Sequence, residues 1–126
     1  MTINFNQDTF WRLRKADINT HRKKFEFLLI DTEEVIAVFQ TLRDILVFTD
    51  KRIIAIDAQG LTGSKKTYCT LPYKNIQYYT IETAGLKLGD CDKLQLVFSN
   101  SFTAEFDFEG NSDIELIEKT ISKYLL

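Results

Sequence analysis

Eight residues near the end of the chain constrain its fold more than any others. Phe102, Ala104, Phe106 and Phe108 alternate with Thr103, Glu105, Asp107 and Glu109. An extended backbone sends these two sets to opposite faces, one apolar and one acid-rich. That pattern reads as a strand in an antiparallel sheet with one side on a core and the other in water. Gly110 follows, and the period then changes. Ile114, Ile117, Ile121, Tyr124 and Leu125 fall on one stripe of a helix running to the C-terminus. Ser112 and Glu115 have the spacing of a capping box, and Asp113 and Glu115 sit at the end of the helix dipole that favours anions.

Upstream, short strands and tight turns alternate. Val35 to Leu42 is apolar and rich in branched residues, Arg43-Asp44 supplies a turn, and Ile45 to Thr49 follows. Asp50-Lys51 is a two-residue turn before Arg52 to Asp57, which completes an antiparallel meander. Gln59-Gly60 and Thr62-Gly63-Ser64 mark a loop in which Gly60 and Gly63 are expected at positive φ. Thr67 to Leu71 is stopped by Pro72, which has no N–H for a ladder bond. Ile76 to Thr83, Lys93 to Phe98 and Phe102 to Phe108 bring the count to seven strands. Seven antiparallel strands need their open edges closed, and the striped terminal helix can plug one end. The expectation is a mainly β fold, a small seven-stranded antiparallel barrel or orthogonal sandwich capped by its C-terminal helix. At 126 residues the chain fits one domain.

Gln7 to Ile30 reads as helical, broken near Asp17, with Asn19 or Thr20 as the cap of a second short helix. This segment also carries an uneven charge. Met1 to Lys24 holds six basic residues (Arg12, Arg14, Lys15, Arg22, Lys23, Lys24) against two acids, a balance of +4. From Leu88 to Glu118 eight acids face one base, Lys93, a balance of -7. Such asymmetry admits three readings: an arm for nucleic acid or membrane, two surfaces that meet within or between subunits, or solvated faces without a partner. A pI of 5.4 argues against nucleic acid. With 44% apolar residues the chain is not disordered, and no apolar run approaches a membrane span. The polar N-terminus and only two cysteines predict a reducing, cytoplasmic setting.

Several stretches resemble the bacterial branch of the pleckstrin-homology (PH) family. Phe48-Thr49-Asp50-Lys51-Arg52-Ile53 is similar to its strand–turn–strand signature, and Asp57 to Lys66 to its glycine loop. Leu71-Pro72-Tyr73-Lys74-Asn75-Ile76 and Ile81-Glu82-Thr83-Ala84-Gly85 resemble the two segments that follow. The resemblance runs from about Glu33 to Leu126 and implies a PH-like domain over residues 31–126, with a short helical N-terminal extension over 1–30. It also implies a non-catalytic module, since these motifs carry fold rather than chemistry. Lipid-binding members of the wider family clamp headgroup phosphates with basic residues between their first two strands. Here that connection is only Leu42-Arg43-Asp44, so the resemblance implies an incomplete headgroup pocket.

No enzyme, cofactor or metal is expected. His21 is the one histidine, without the partners of a triad or a zinc site. Cys69 alternates with Thr67 and Leu71 as a small core residue. Cys91, between Asp90 and Asp92, is expected exposed, with a thiol that nearby carboxylates make less acidic. Asp90, Asp92 and Gly89 lack the ligand spacing of a calcium loop.

The more informative feature is surplus apolar surface. Val35 to Phe39, Ile45 to Phe48 and Ile53 to Ile56 are apolar on both strand faces, so the outward face needs a cover. The N-terminal helix or a neighbouring subunit can supply it. Bacterial PH-like proteins resemble this chain and assemble into homo-oligomeric rings, which implies self-assembly here. The interface expected on that basis is Val35, Phe39, Leu46 and Phe48, rimmed by Arg43, Lys51 and Arg52, with an unidentified protein as further partner. The alternative is a peripheral module that binds anionic lipid through Arg12, Arg14, Lys15, Arg22, Lys23 and Lys24 with Lys65 and Lys66.

Overall fold

The computed structural model describes residues 5, 10, 12–59, 64–85, 91–110 and 113–126. Gly60, Gly63, Gly89, Asp90 and Ser112, singled out above, lie outside the described residues. The fold is mainly β and capped by a C-terminal helix, as expected. Its strands form two antiparallel sheets rather than a closed barrel.

The first sheet has five strands in the order β1 (Arg14–Ala16), β2 (Val35–Gln40), β3 (Ile45–Thr49), β4 (Arg52–Gln59) and β5 (Lys65–Pro72). The second has three, β6 (Ile76–Glu82), β7 (Cys91–Phe98) and β8 (Thr103–Glu109). A 3-10 turn, Tyr73–Asn75, links the sheets. Pro72 ends β5 as its missing N–H requires.

The seven strands read from the sequence are all present, and β1 is an eighth. Arg14–Ala16 lies in the segment expected to be helical but pairs antiparallel with β2, Lys15 opposite Phe39. Helix begins only after Asp17, whose side chain accepts the Thr20 N–H at 3.0 Å and caps α1 (Ile18–His21). The cap is thus Asp17, not Asn19 or Thr20. Two 3-10 turns, Arg22–Lys24 and Glu26–Leu28, complete this part of the chain. At the other terminus α2 (Ile114–Leu125) is capped by Asp113, whose carboxylate accepts the Leu116 N–H at 3.3 Å.

Two apolar clusters result. The inner one lies between the sheets and under α2: Phe39, Leu46, Phe48, Ile53, Leu94, Leu96, Phe106, Phe108, Ile117 and Ile121 are all buried there. The outer one lies on the opposite face of the five-stranded sheet, where Val38, Ile45, Val47, Ile54 and Ile56 gather around Phe25. Ala16, Ile18, Leu28 and Leu29 pack against it. The N-terminal segment is therefore the cover that the doubly apolar strands demand. Burying each large aliphatic side chain contributes about 1.5–3 kcal/mol, which is what holds so short a segment in place.

The same segment stitches the sheets together. Leu13 bridges Phe108, donating its N–H to the Asp107 carbonyl at 2.8 Å and accepting the Glu109 N–H at 2.9 Å. Phe10 is fully buried, and its carbonyl accepts the Asp107 N–H at 3.3 Å. Phe10 and Arg12 both sit at φ 58°, a region costly for residues with a Cβ, so these contacts hold a bent backbone.

Candidate functional site

The residues expected at a subunit interface do not share one surface. Phe39, Leu46 and Phe48 are at most 1% exposed and belong to the inner core, so their side chains offer nothing to a neighbour. Their opposite-parity neighbours Val38 and Val47 point outward and are themselves covered. Val35 is half-buried beside the outer cluster. Arg43 is exposed in the β2–β3 turn, whereas Lys51 and Arg52 lie at the opposite end of the strands, in and after the β3–β4 turn.

The basic residues considered for lipid are likewise divided. Arg12 pairs with Glu109 at 3.4 Å and Lys15 with Asp113 at 3.3 Å. The +4 and -7 segments thus meet inside one subunit. Arg14, Lys23 and Lys24 are exposed, Arg22 is half-buried, and Lys24 Nζ lies 3.3 Å from His21 Nδ1. Lys65 and Lys66 are exposed at the start of β5.

Lys51 and Arg52 open on the site with the most definite construction. Glu33 is 1% exposed in its side chain and is gripped by Arg52 in a two-pronged ion pair, Nε to Oε2 and Nη2 to Oε1, both 2.9 Å. Thr49 Oγ1 donates to Glu33 Oε2 at 2.6 Å. The same hydroxyl accepts the N–H groups of Lys51 and Arg52 at 3.1 and 3.0 Å. Burial would raise the Glu33 carboxyl, but hydrogen bonds from Arg52, Thr49 and the Ile30 N–H, with the Arg52 charge, hold it below the ordinary carboxylate range. Arg52 also donates to the Leu28 carbonyl and to Thr70 Oγ1. One arginine therefore ties the N-terminal cover to β4 and β5. Asp50 accepts the Glu34 N–H at 3.0 Å, the backbone role its place in the turn suggests.

Above this knot runs a groove of about 550 Å³ lined by Leu28, Ile30, Glu33, Asp50, Lys51, Arg52, Pro72, Lys74 and Tyr124. Its walls come from four distant parts of the chain. Tyr73 fastens two of them, donating its N–H to the Lys51 carbonyl at 3.3 Å and its buried hydroxyl to the Thr49 carbonyl at 2.7 Å. Its ring stacks on Tyr124 with centroids 6.0 Å apart. Burial, with the charges of Asp50 and Glu33 nearby, pushes the Tyr73 phenol well above its ordinary value, so it stays a hydrogen-bond donor. Ile30 is 54% exposed at the lip, and Phe27 beside it is 66% exposed and edge-on to Tyr68.

Among the described residues no cluster of His, Cys, Asp or Glu suits a metal ion. Cys91 is half-buried rather than exposed, and Arg12 Nη1 approaches its Sγ at 3.7 Å. Burial pushes its thiol up; Asp107, Glu109 and Asp92 push the same way and Arg12 opposes them. Burial also raises Cys69. Among the described residues no helix is long and apolar enough to cross a membrane.

A family model described as the bacterial PH domain matches residues 4–125, which takes in the N-terminal segment as well as the part with legible motifs. The uncharacterized protein YozO of Bacillus subtilis (strain 168) is 33% identical over 107 residues, 85% of this chain and 91% of its own length. The uncharacterized protein YjqA of the same organism is 44% identical over 64 residues; the match spans 51% of each protein, about half of YjqA. Among solved structures, a DUF1696 family protein with a pleckstrin-homology domain from Shewanella loihica PV-4 superposes with a TM-score of 0.82 at 30% identity, covering 92% of this chain and 99% of that one.

Proposed function

We propose that this chain, which belongs to the bacterial PH domain family, works as a non-catalytic interaction module that takes a protein partner in the groove beside the β3–β4 turn. The composition of that groove carries the reading. Exposed Ile30 and half-buried Leu28, Pro72 and Tyr124 lie beside the lysines at its rim. Apolar side chains left open next to fixed charges are the usual make-up of a recognition surface. Fold alone does not assign function, and here the site argues for binding over chemistry. Its one buried ion pair is saturated by hydrogen bonds, and both thiols are shifted away from the thiolate a nucleophile needs.

The test is site-specific photo-crosslinking in the native cell, with a benzophenone amino acid at Ile30 and, as control, at Glu105, exposed on β8 of the far sheet. The expected result is a protein adduct from the Ile30 site and none from the control site. No adduct from Ile30, or an equal adduct from the control, would overturn the reading.

Self-assembly is a second reading, favoured by a different observation. β5 and β6 are both edge strands, and β6 contains neither Pro nor Lys to discourage pairing. Joining β5 of one copy to β6 of the next is a head-to-tail contact, the type that closes into rings. This interface replaces Phe39, Leu46 and Phe48. Light scattering that finds a stable monomer at micromolar concentration would eliminate it. The lipid alternative predicts vesicle binding that falls with salt, through a basic segment of which Arg12 and Lys15 are already engaged with Glu109 and Asp113.

A further inference from the structure

The groove is lined by three basic side chains, Lys51, Arg52 and Lys74, and two acidic ones, Glu33 and Asp50. Arg52 and Glu33 cancel each other in the ion pair beneath it, and Asp50 accepts the Glu34 N–H, which leaves the basic side chains in excess by one. Lys51 and Lys74 are different. Both are exposed, and among the described residues neither ammonium group has a hydrogen bond or an ion-pair partner. They are also held in relation to each other. Lys51 sits in the β3–β4 turn and Lys74 in the Tyr73–Asn75 turn, and Tyr73 bonds one turn to the other through both its N–H and its hydroxyl. Lys123 adds a third positive charge, its Nζ 5.3 Å from the centroid of the Tyr124 ring.

We infer that the segment bound in this groove is an acidic stretch of a partner protein with an aliphatic or aromatic anchor, its carboxylates meeting Lys51 and Lys74 and its anchor lying on Leu28, Ile30, Pro72 and Tyr124. The inference rests on the protein-binding reading above and specifies the chemistry of the partner. Charge complementarity selects the carboxylates, since a basic segment would be repelled at the rim. The recess selects a peptide over a membrane. Ile30 stands exposed at the lip, but Leu28, Pro72 and Tyr124 are half-buried in a concavity of about 550 Å³, which a peptide side chain can enter and a bilayer surface cannot. That volume is within the range of roughly 300–1,000 Å³ typical of ligand clefts. Because the walls are bolted together by the Glu33–Arg52 pair and by Tyr73, little ordering cost falls on the protein when the segment binds.

The experiment is selection of a random peptide library displayed on phage against the full chain, with the Lys51→Glu/Lys74→Glu chain as the counter-selection. Both substitutions fall on exposed side chains, and a thermal melt confirms that the variant folds. The expected result is enrichment of Asp and Glu next to Leu, Ile, Phe or Tyr. A synthetic peptide of the selected sequence should lose about tenfold or more in affinity for the double variant, with weaker binding at high salt. Selected peptides without acidic residues, or an affinity unchanged by the double substitution, would overturn the inference. So would lysine-dependent binding to phosphatidylserine–phosphatidylcholine vesicles with no peptide selected. Failure here while Ile30 still crosslinks a protein removes the acidic-partner inference and leaves the protein-binding reading standing. Failure of both removes the groove as a site.

Discussion

The two sheets solve the same problem in different ways. In β6, β7 and β8 each strand has one face on the core and one in water, and the outward face shows it: Glu82, Lys93, Gln95, Glu105 and Asp107 line it. In β2, β3 and β4 both faces are apolar, and the second is sealed by residues from before Glu33. The three-stranded sheet is finished by its own alternation. The five-stranded sheet is finished only when the N-terminal segment lies across it. A segment that looks like an appendage in the sequence is thus half of a core.

The strongest way to break this contrast is Phe25→Ala. Phe25 is fully buried in the outer cluster, and deleting a buried aromatic costs about 3–5 kcal/mol. Urea unfolding should show that loss in the midpoint; a loss below about 1 kcal/mol would mean the cover is dispensable.

A smaller effect is expected at the other anchor of the segment. Asp44, in the β2–β3 turn, is buried and accepts the Phe10 N–H at 3.3 Å. Burial and its hydrogen bond with Asp57 push its carboxyl up to about 6, although the Phe10 and Ala58 N–H groups oppose this. The folded chain therefore holds this proton more tightly than the unfolded one, whose value is about 3.9. Stability from this group is fully present below about pH 4 and is lost as pH rises to about 6. Asp44→Asn keeps an acceptor for the Phe10 N–H and has nothing to ionise. It should gain roughly 1–2 kcal/mol on the native chain between pH 4.5 and pH 7. Parallel pH profiles for the two chains would show that folding does not change the proton affinity of Asp44.

The smallest effect sharpens the contrast from the wet side. Glu105→Ala on the outward face of β8 should change stability by no more than about 0.5 kcal/mol, because only an exposed contact with Gln95 is lost. A larger loss, measured by the same urea titration, would mean that this face also depends on its side chains.

What the sequence discloses follows from the same contrast. β8 is legible because its two faces meet different media, so parity is labelled residue by residue. β2 and β3 are not, because Val38 and Val47 look no different from Phe39, Leu46 and Phe48, and nothing local says which set turns inward. That ambiguity put three inner-core residues at an expected interface. β1 was invisible for another reason: three residues carry no period, and Arg14–Ala16 is a strand only because β2 lies beside it. Asp113 was legible at the anion-favouring end of the last helix, but its capping bond to the Leu116 N–H was not. The groove was half legible. The turn motif placed Lys51 and Arg52, but Leu28, Lys74 and Tyr124 join them only through tertiary contacts such as the Tyr73–Tyr124 stack.

The stitch at Leu13 has a consequence for how the chain is made. Arg12 reaches a partner 97 residues away and Lys15 one 98 residues away. The contacts of Phe10, Arg12, Leu13 and Lys15 are therefore among the last that can form. Phe25, Leu28 and Leu29 need only β2, β3 and β4 for their cover, whereas Phe10 and Leu13 wait for β8. Pairings at such separation raise contact order and slow folding, and they prolong the interval in which an unfinished chain can aggregate. The five-stranded sheet can therefore be sealed before the two sheets are joined.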